Sequence, residues 1–144
     1  TPDAGRLTLK EEQMARKHEK LRVWQSAMDL VVATYEQTNA FPKFELYGLA
    51  QQMRRAAVSV PSNIAEGYGR NSDLEFLRFL HIARGSLFEL ETQIQIAVRL
   101  GYIRPEELLC LNERVFAQLA ALLHRVQSET PRKASGVKRP ASSE

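Results

Sequence analysis

Residues 72–101 read SDLEFLRFLHIARGSLFELETQIQIAVRLG and decide the fold class of this chain. Ser72 and Glu75 have the spacing of a capping box, which satisfies free backbone amides where a helix starts. Apolar residues then recur every three or four positions from Phe76 to Val98, as on one face of an amphipathic helix. Gly101 is typical of the residue that follows a helix. The stretch therefore predicts one long amphipathic helix.

Three further stretches have the same periodicity. The first covers residues 23–39, and its apolar line is Trp24, Ala27, Met28, Val31, Tyr35 and Thr38. The second runs from Leu46 to Gly67, and its apolar line is Leu46, Leu49, Met53, Ala56, Ala57, Val60 and Ile64. The last begins at Pro105, and its apolar line is Leu108, Leu111, Val115, Leu119, Leu122 and Val126. With short connections and no alternation of period two, the sequence predicts an all-α, antiparallel up-down-up-down four-helix bundle.

Pro61 lies inside the second predicted helix, where a proline removes a backbone hydrogen bond and costs about 3 kcal/mol. We expect a kinked helix, with two separate helices as the alternative. Ser59, Ser62 and Asn63 are close in sequence, and we expect their side-chain oxygens to serve the freed backbone groups. The segment, which ends at Glu66, predicts either a structural kink alone or a hydrogen-bonding patch between subunits.

Gly85, followed by Ser86, interrupts the longest helix near its middle. Glycine there costs about 1 kcal/mol relative to alanine, so we expect another element to pack closely against this turn. That element is either a helix of the same chain or a second subunit.

The chain is long enough for one domain with its own core. We expect a polar arm over residues 1–20, with a short helix after a capping box from Thr8 to Glu11. The bundle would cover residues 21–128, and residues 129–144 would form a disordered basic tail. Residues 21–128 contain eleven basic and eleven acidic residues, so the net charge of +3 comes from the arm and the tail.

No apolar run approaches the roughly 20 residues that span a bilayer, so we predict no membrane segment. The polar arm also lacks the apolar core of a secretory signal. With a single cysteine, Cys110, these features predict a reduced, cytoplasmic setting.

Catalytic motifs are absent from the sequence. The residues three positions before the histidines are Ala15, Arg78 and Ala121, so the Glu-x-x-His motif of di-iron bundles does not occur. There is also no His-x-x-x-His, no P-loop and no Gly-x-Gly-x-x-Gly. We therefore predict no catalytic residue, no cofactor and no metal, and a protein that is not an enzyme. Cys110 is expected to be a buried or half-buried structural thiol, and His81 to pack or form a hydrogen bond.

Arginines are concentrated in the second helix and the first half of the third: Arg54, Arg55, Arg70, Arg78 and Arg84. Only three acidic residues oppose them, namely Glu66, Asp73 and Glu75. One interpretation is a solvated surface with ion pairs three or four residues apart. The other is a nucleic-acid-binding surface, because arginine recognises phosphate through two parallel hydrogen bonds.

Several strings occur in a fixed order along the chain: LRVWQSAMDL at 21–30, ELYGL at 45–49, QMRRA at 52–56, VSVPSNIAEG at 58–67, and ARGSL at 83–87. In these strings the chain resembles the four helix bundle protein family, also called the 23S rRNA intervening-sequence protein family. That family is related in fold to the accessory variability determinant of diversity-generating retroelements. The resemblance covers about residues 20–125 and leaves both ends of the chain outside it.

The resemblance implies a bacterial cytosolic protein that assembles with itself into a ring, a homopentamer. It implies subunit contacts at the kinked segment and the mid-helix glycine: Ser59, Pro61, Ser62, Asn63, Glu66, Gly85 and Ser86. The retroelement relatives bind nucleic acid and a reverse transcriptase, so the implied partners are RNA, DNA or a nucleic-acid enzyme such as a reverse transcriptase. The predicted function is thus a nucleic-acid-binding or adaptor protein. A purely structural assembly module is the alternative.

Overall fold

The structure, a computed structural model, describes residues 17–130. It contains four α-helices: α1 (Arg22–Thr38), α2 (Leu49–Tyr68), α3 (Asp73–Arg99) and α4 (Glu106–Glu129). Short 3-10 turns cover Lys17–Lys20 and Lys43–Glu45. Within residues 17–130 there is no strand, which confirms the all-α prediction. The capping box at Thr8 and residues 131–144 of the predicted tail lie outside the described residues. Glu129, predicted as the first residue of the tail, is the last residue of α4.

Each helix packs against its neighbours in sequence, and α1 also packs against α4. The core between them is built from large side chains that are completely or almost completely buried, including Leu30, Met53, Ile64, Leu87 and Leu119. Burying one such side chain contributes about 1.5–3 kcal/mol. All four helices supply some of these residues, so the core depends on every helix.

The two ends of α3 are formed by the residues that the sequence indicated. The Ser72 hydroxyl accepts a hydrogen bond from the Glu75 backbone N–H at 3.2 Å, as expected of an N-cap. At the other end, Gly101 has a φ of +79° and its N–H donates to the Val98 carbonyl at 3.0 Å. This left-handed conformation favours glycine and ends the helix.

The buried face of α1 is rotated relative to the predicted apolar line. Met28 and Tyr35 are exposed, whereas Leu30 and Thr34 lie in the core with Thr38. Both threonines can be buried because their hydroxyls donate to the backbone carbonyls four residues earlier, each at 2.7 Å. A polar residue is therefore part of the core because its hydrogen bond is made within its own helix.

Helix α2 continues through Pro61, so the alternative of two separate helices is wrong. It starts at Leu49 rather than Leu46, which is exposed beyond the preceding 3-10 turn. The Asn63 side-chain amide donates to the Ser59 carbonyl at 2.8 Å and to the Ser59 hydroxyl at 2.9 Å. Pro61 lacks the N–H that would donate to the Ala57 carbonyl, four residues earlier, so these hydrogen bonds to Ser59 do not replace the missing one. The Ser59 hydroxyl is used instead as an acceptor for the Asn63 amide.

Helices α2 and α3 have the most extensive contact of any helix pair in residues 17–130, and Gly67 lies at that contact. A Cβ at Gly67 would lie 2.6 Å from the Cβ of Phe79 and 3.1 Å from Cδ1 of Phe76. The sequence placed Gly67 only at the end of its helix. The structure shows that this glycine sets the distance between two helices.

Candidate interaction surfaces

The five arginines of α2 and α3 do not form a single cluster. Arg54 is directed at the end of α1, where its Nε donates to the Thr38 hydroxyl at 2.9 Å. One of its terminal nitrogens donates to the Asn39 side-chain carbonyl at 3.1 Å. Its guanidinium also lies 4.8 Å from the centre of the Tyr35 ring. Arg54 therefore fastens α2 to α1.

Arg70 and Arg78 lie together, at the end of α2 and the start of α3. Their guanidinium carbons are 5.1 Å and 4.9 Å from the centre of the same ring, that of Phe79. Arg70 forms an ion pair with Glu66 at 3.2 Å, and Arg78 forms one with Glu75 at 3.4 Å. These pairs are largely solvent-exposed, so each contributes between about 0 and 1 kcal/mol. They also cancel the positive charge of this end of the bundle.

The last two arginines lie elsewhere. Arg55 is exposed on α2. Arg84 lies 5.6 Å from the centre of the Phe88 ring and borders the cleft between α3 and α4. The five guanidinium groups are thus distributed over separate parts of the molecule.

Two of the three serines of the predicted subunit interface connect two helices of the same chain. The hydroxyls of Ser59 in α2 and Ser86 in α3 are 2.7 Å apart and share a hydrogen bond. Pro61 is buried inside the protomer, so it is not available for direct contact with another subunit. Ser62 and Glu66 are exposed.

Gly85 does not provide a close approach within the chain. It is exposed, and no atom lies within 4 Å of the position that a Cβ would occupy. The expectation that another helix of the same chain packs on it is wrong. Gly85 belongs to a row of exposed residues spaced by three and four positions, which we call the α3 row: Ile82, Gly85, Glu89, Thr92 and Ile96. The two isoleucines at its ends are each 43% exposed.

A second exposed apolar surface lies on α1 and α2. Met28, Val32 and Tyr35 form one row of α1, and Val32 is 55% exposed. Val58 of α2 is also exposed and follows Arg54 by four residues, which places it on the side of α2 that contacts Tyr35. We call Met28, Val32, Tyr35 and Val58 the α1–α2 patch.

The connection between α1 and α2 exposes two aromatic side chains, Phe44 at 77% and Tyr47 at 85%. It is held in place by the Tyr102 hydroxyl, which donates to Oε2 of Glu45 at 2.9 Å. Partial burial, this hydrogen bond and the negative charge of Glu45 raise the pKa of Tyr102 above its ordinary value of 10.0. The bundle thus has an exposed aromatic end in addition to its two apolar sides.

Cys110 is exposed, contrary to the prediction that it is buried or half-buried. It follows the buried Leu108 by two residues, which places it about 200° around the helix and outside the core. His81 is also exposed, at the cleft between α3 and α4. The prediction that His81 packs in the interior is therefore wrong, and the apolar periodicity did not indicate the cleft that it borders.

Two further properties concern the described part of the chain. Within residues 17–130, no three His, Cys, Asp or Glu side chains lie together as a metal site would require. None of the helices described there is long and apolar enough to cross a membrane.

The model of the family described as 23S rRNA-intervening sequence protein matches residues 19–125. The match includes α1, α2 and α3 and all of α4 except its last turn. The comparison with curated proteins finds no match.

Proposed function

Because the chain belongs to the 23S rRNA-intervening sequence protein family, we propose that its four helices run up-down-up-down and form one subunit of a non-enzymatic homo-oligomeric ring. Five subunits are the number that the sequence resemblance implies. We assign the protein a function in assembly because its exposed apolar surfaces and its exposed mid-helix glycine have no role within a single chain. Both features suit contact with another copy of the chain. The observation that carries this proposal is Gly85.

Glycine inside a helix costs about 1 kcal/mol relative to alanine, and within one chain nothing packs against Gly85. A glycine on a helix surface allows another backbone to approach closely. The flanking Ile82 and Ile96 add exposed apolar area on the same side of α3. The α3 row thus has the composition of a helix-packing surface whose partner is outside the chain.

A ring requires two different surfaces, because each subunit contacts the next one head to tail. The α1–α2 patch and the α3 row meet this requirement. No Cα atom of α1 lies within 8 Å of a Cα atom of α3, so the two surfaces lie on different sides of the bundle. We infer that the α1–α2 patch of one subunit packs on the α3 row of the next.

Two substitutions test this arrangement. Val32→Glu places a charge in the α1–α2 patch, and Ile82→Glu places one in the α3 row; both sites are exposed, so the fold should tolerate them. By light scattering, the unchanged protein should have a multiple of the 16.4 kDa chain mass, and each variant should be monomeric. Ala117→Glu, at an exposed position of α4 outside both surfaces, is the matched control and should assemble normally.

An equimolar mixture of the two variants distinguishes a ring from a symmetric dimer. Each variant keeps the surface that the other has lost, so the mixture should form heterodimers and nothing larger. In a symmetric dimer only one surface matters, and one of the variants would assemble like the unchanged protein. If the unchanged protein is monomeric by light scattering, the proposal is wrong.

Nucleic-acid binding is the second candidate function, and the arginines give it limited support. Arg70 and Arg78 are paired with carboxylates, and Arg54 is used in packing, which leaves Arg55 and Arg84. Labelled single-stranded RNA at low salt is the appropriate probe, because weak phosphate contacts are strongest there. No binding under that condition would leave a purely structural assembly module. Binding that Arg55→Ala weakens would instead support an RNA-binding ring.

A further inference from the structure

A cleft of about 240 Å³ lies between the first half of α3 and the second half of α4. The small side chain of Ala120 lines it between the larger side chains of Phe116 and Leu123, which lie four positions before and three after it on α4. Ala120 is exposed and lines the cleft. The cleft is therefore open to solvent, and a larger side chain at position 120 would enter it.

The base and wall of the cleft are apolar. Leu119 and Leu123 form its base and are almost completely buried, at 1% and 6% exposure. Phe116 forms a wall, and the Phe88 ring meets it edge to face with the ring centres 4.6 Å apart. A cavity of about 150 Å³ with apolar walls is enough to hold benzene. The cleft thus has room for a six-membered ring with one polar substituent.

The rim of the cleft is basic. His81 and Arg84 border it from α3, and His124 borders it from α4. Among the described residues that line it there is no carboxylate. The Arg84 guanidinium lies over the Phe88 ring, which orients it beside the aromatic wall. A guanidinium binds carboxylate or phosphate oxygens with two parallel hydrogen bonds, more strongly where water is partly excluded.

We propose that this cleft binds a small organic anion, with its apolar body on Phe116, Leu119 and Leu123 and its carboxylate or phosphate on Arg84. The aromatic wall, the apolar base and the basic rim form one site with two kinds of contact. Such a combination of an apolar pocket and a few polar groups is characteristic of small-molecule sites. The site belongs to a single chain and does not depend on the ring.

Three probes of similar size test the proposal: benzoate, phenyl phosphate and the neutral benzyl alcohol. Amide chemical shifts of the full-length protein are followed while each probe is added. At least one of the two anions should shift the amides of α3 and α4 around the cleft and bind tenfold or more tightly than benzyl alcohol. Comparing benzoate with phenyl phosphate then identifies which anionic group the site prefers.

Two variants and one control locate the binding. Arg84→Gln should weaken anion binding about tenfold to a hundredfold, the effect of losing a hydrogen bond to a charged group. Ala120→Met fills the cleft without changing the charge and should abolish binding of all three probes. Arg99→Gln removes an exposed arginine of the same helix outside the cleft and should leave the affinity unchanged. Circular dichroism shows whether each variant is folded.

Several results would overturn the proposal. One is the absence of any shift with both anions at millimolar concentration. Another is benzyl alcohol binding as tightly as both benzoate and phenyl phosphate, which would make the cleft merely apolar. Equal weakening by Arg84→Gln and Arg99→Gln would show a general charge effect. Binding that survives Ala120→Met would place the ligand elsewhere.

Discussion

Replacing Gly67 with alanine would place a methyl carbon 2.6 Å from the Cβ of Phe79 and 3.1 Å from Cδ1 of Phe76. Non-bonded carbon atoms prefer about 3.5–4.0 Å, so the nearer pair would have to separate by about 1 Å. A Cβ atom is fixed to its backbone, and a new rotamer of Phe79 cannot move it. The helices α2 and α3 themselves would have to move apart.

The two effects of the substitution have opposite signs. Alanine is favoured over glycine in a helix by about 1 kcal/mol. Overpacking a core typically costs about 1–3 kcal/mol, and the clash here involves backbone-linked atoms. We therefore expect the upper part of that range and a net loss of about 1–2 kcal/mol in the free energy of unfolding.

Gly85→Ala is the matched control, since the same atom is added to a helix where nothing lies within 4 Å. Only the propensity effect remains, so the subunit by itself should gain about 0.5–1 kcal/mol. Urea unfolding followed by circular dichroism measures both variants, and the midpoints should shift in opposite directions with an unchanged slope. Repeating it at two protein concentrations reveals any contribution from assembly. A Gly67→Ala variant as stable as the unchanged protein would refute the close packing of α2 on α3.

Three further predictions concern single side chains. The Asn112 side-chain oxygen is buried and has no hydrogen-bond partner among the described residues. Asn112→Leu should therefore raise the free energy of unfolding, measured by urea titration, by about 1–3 kcal/mol. A decrease would show that the Asn112 amide has a hydrogen-bond partner. The pKa of Tyr102 is raised on folding, so the unfolded chain loses the Tyr102 hydroxyl proton first and the free energy of unfolding should fall as pH rises through and above 10.0. Tyr102→Phe should flatten this part of the plot of stability against pH. An unchanged slope would contradict the contact with Glu45. Cys110 is exposed, so a thiol reagent should modify the native protein as fast as it modifies the protein in urea; strong protection would mean that the thiol is covered, for example by another subunit.

The sequence was sufficient for the parts of the fold that depend on local patterns. The capping box at Ser72 and the glycine at 101 predicted the ends of α3 because the signals act within a few residues of the backbone they satisfy. The buried side of α4 was also predicted almost completely. Leucine and valine recur there at regular spacing, so only one orientation of the helix buries them all. The orientation of α1 was not, because small and hydroxyl-bearing residues such as Thr34 are buried there instead of the larger Met28 and Tyr35.

The glycines show most clearly what sequence reasoning lacks. Gly67 and Gly85 are both within helices, and only the second was predicted to mark a close contact. In the structure the close contact is at Gly67, since whether a glycine faces a neighbour depends on how two helices are placed. The roles of the arginines were equally hard to predict. Arg54 and Arg55 are adjacent in sequence, but Arg54 packs against α1 whereas Arg55 is exposed to solvent.

Helix α3 contributes to both proposals, but with different sides, and this makes them separable. Ile82 belongs to the α3 row, whereas the adjacent His81 borders the cleft, and consecutive residues of a helix point about 100° apart. Ile82→Glu should therefore give a monomer that binds benzoate or phenyl phosphate with the affinity of the assembled protein. Light scattering confirms the monomer, and amide shifts give the affinity of the same sample. A monomer that loses the anion while keeping its fold would contradict a site within one chain, because the cleft would then need a residue from the next subunit. An affinity that stays unchanged would assign ring formation and anion binding to two independent sides of one helix.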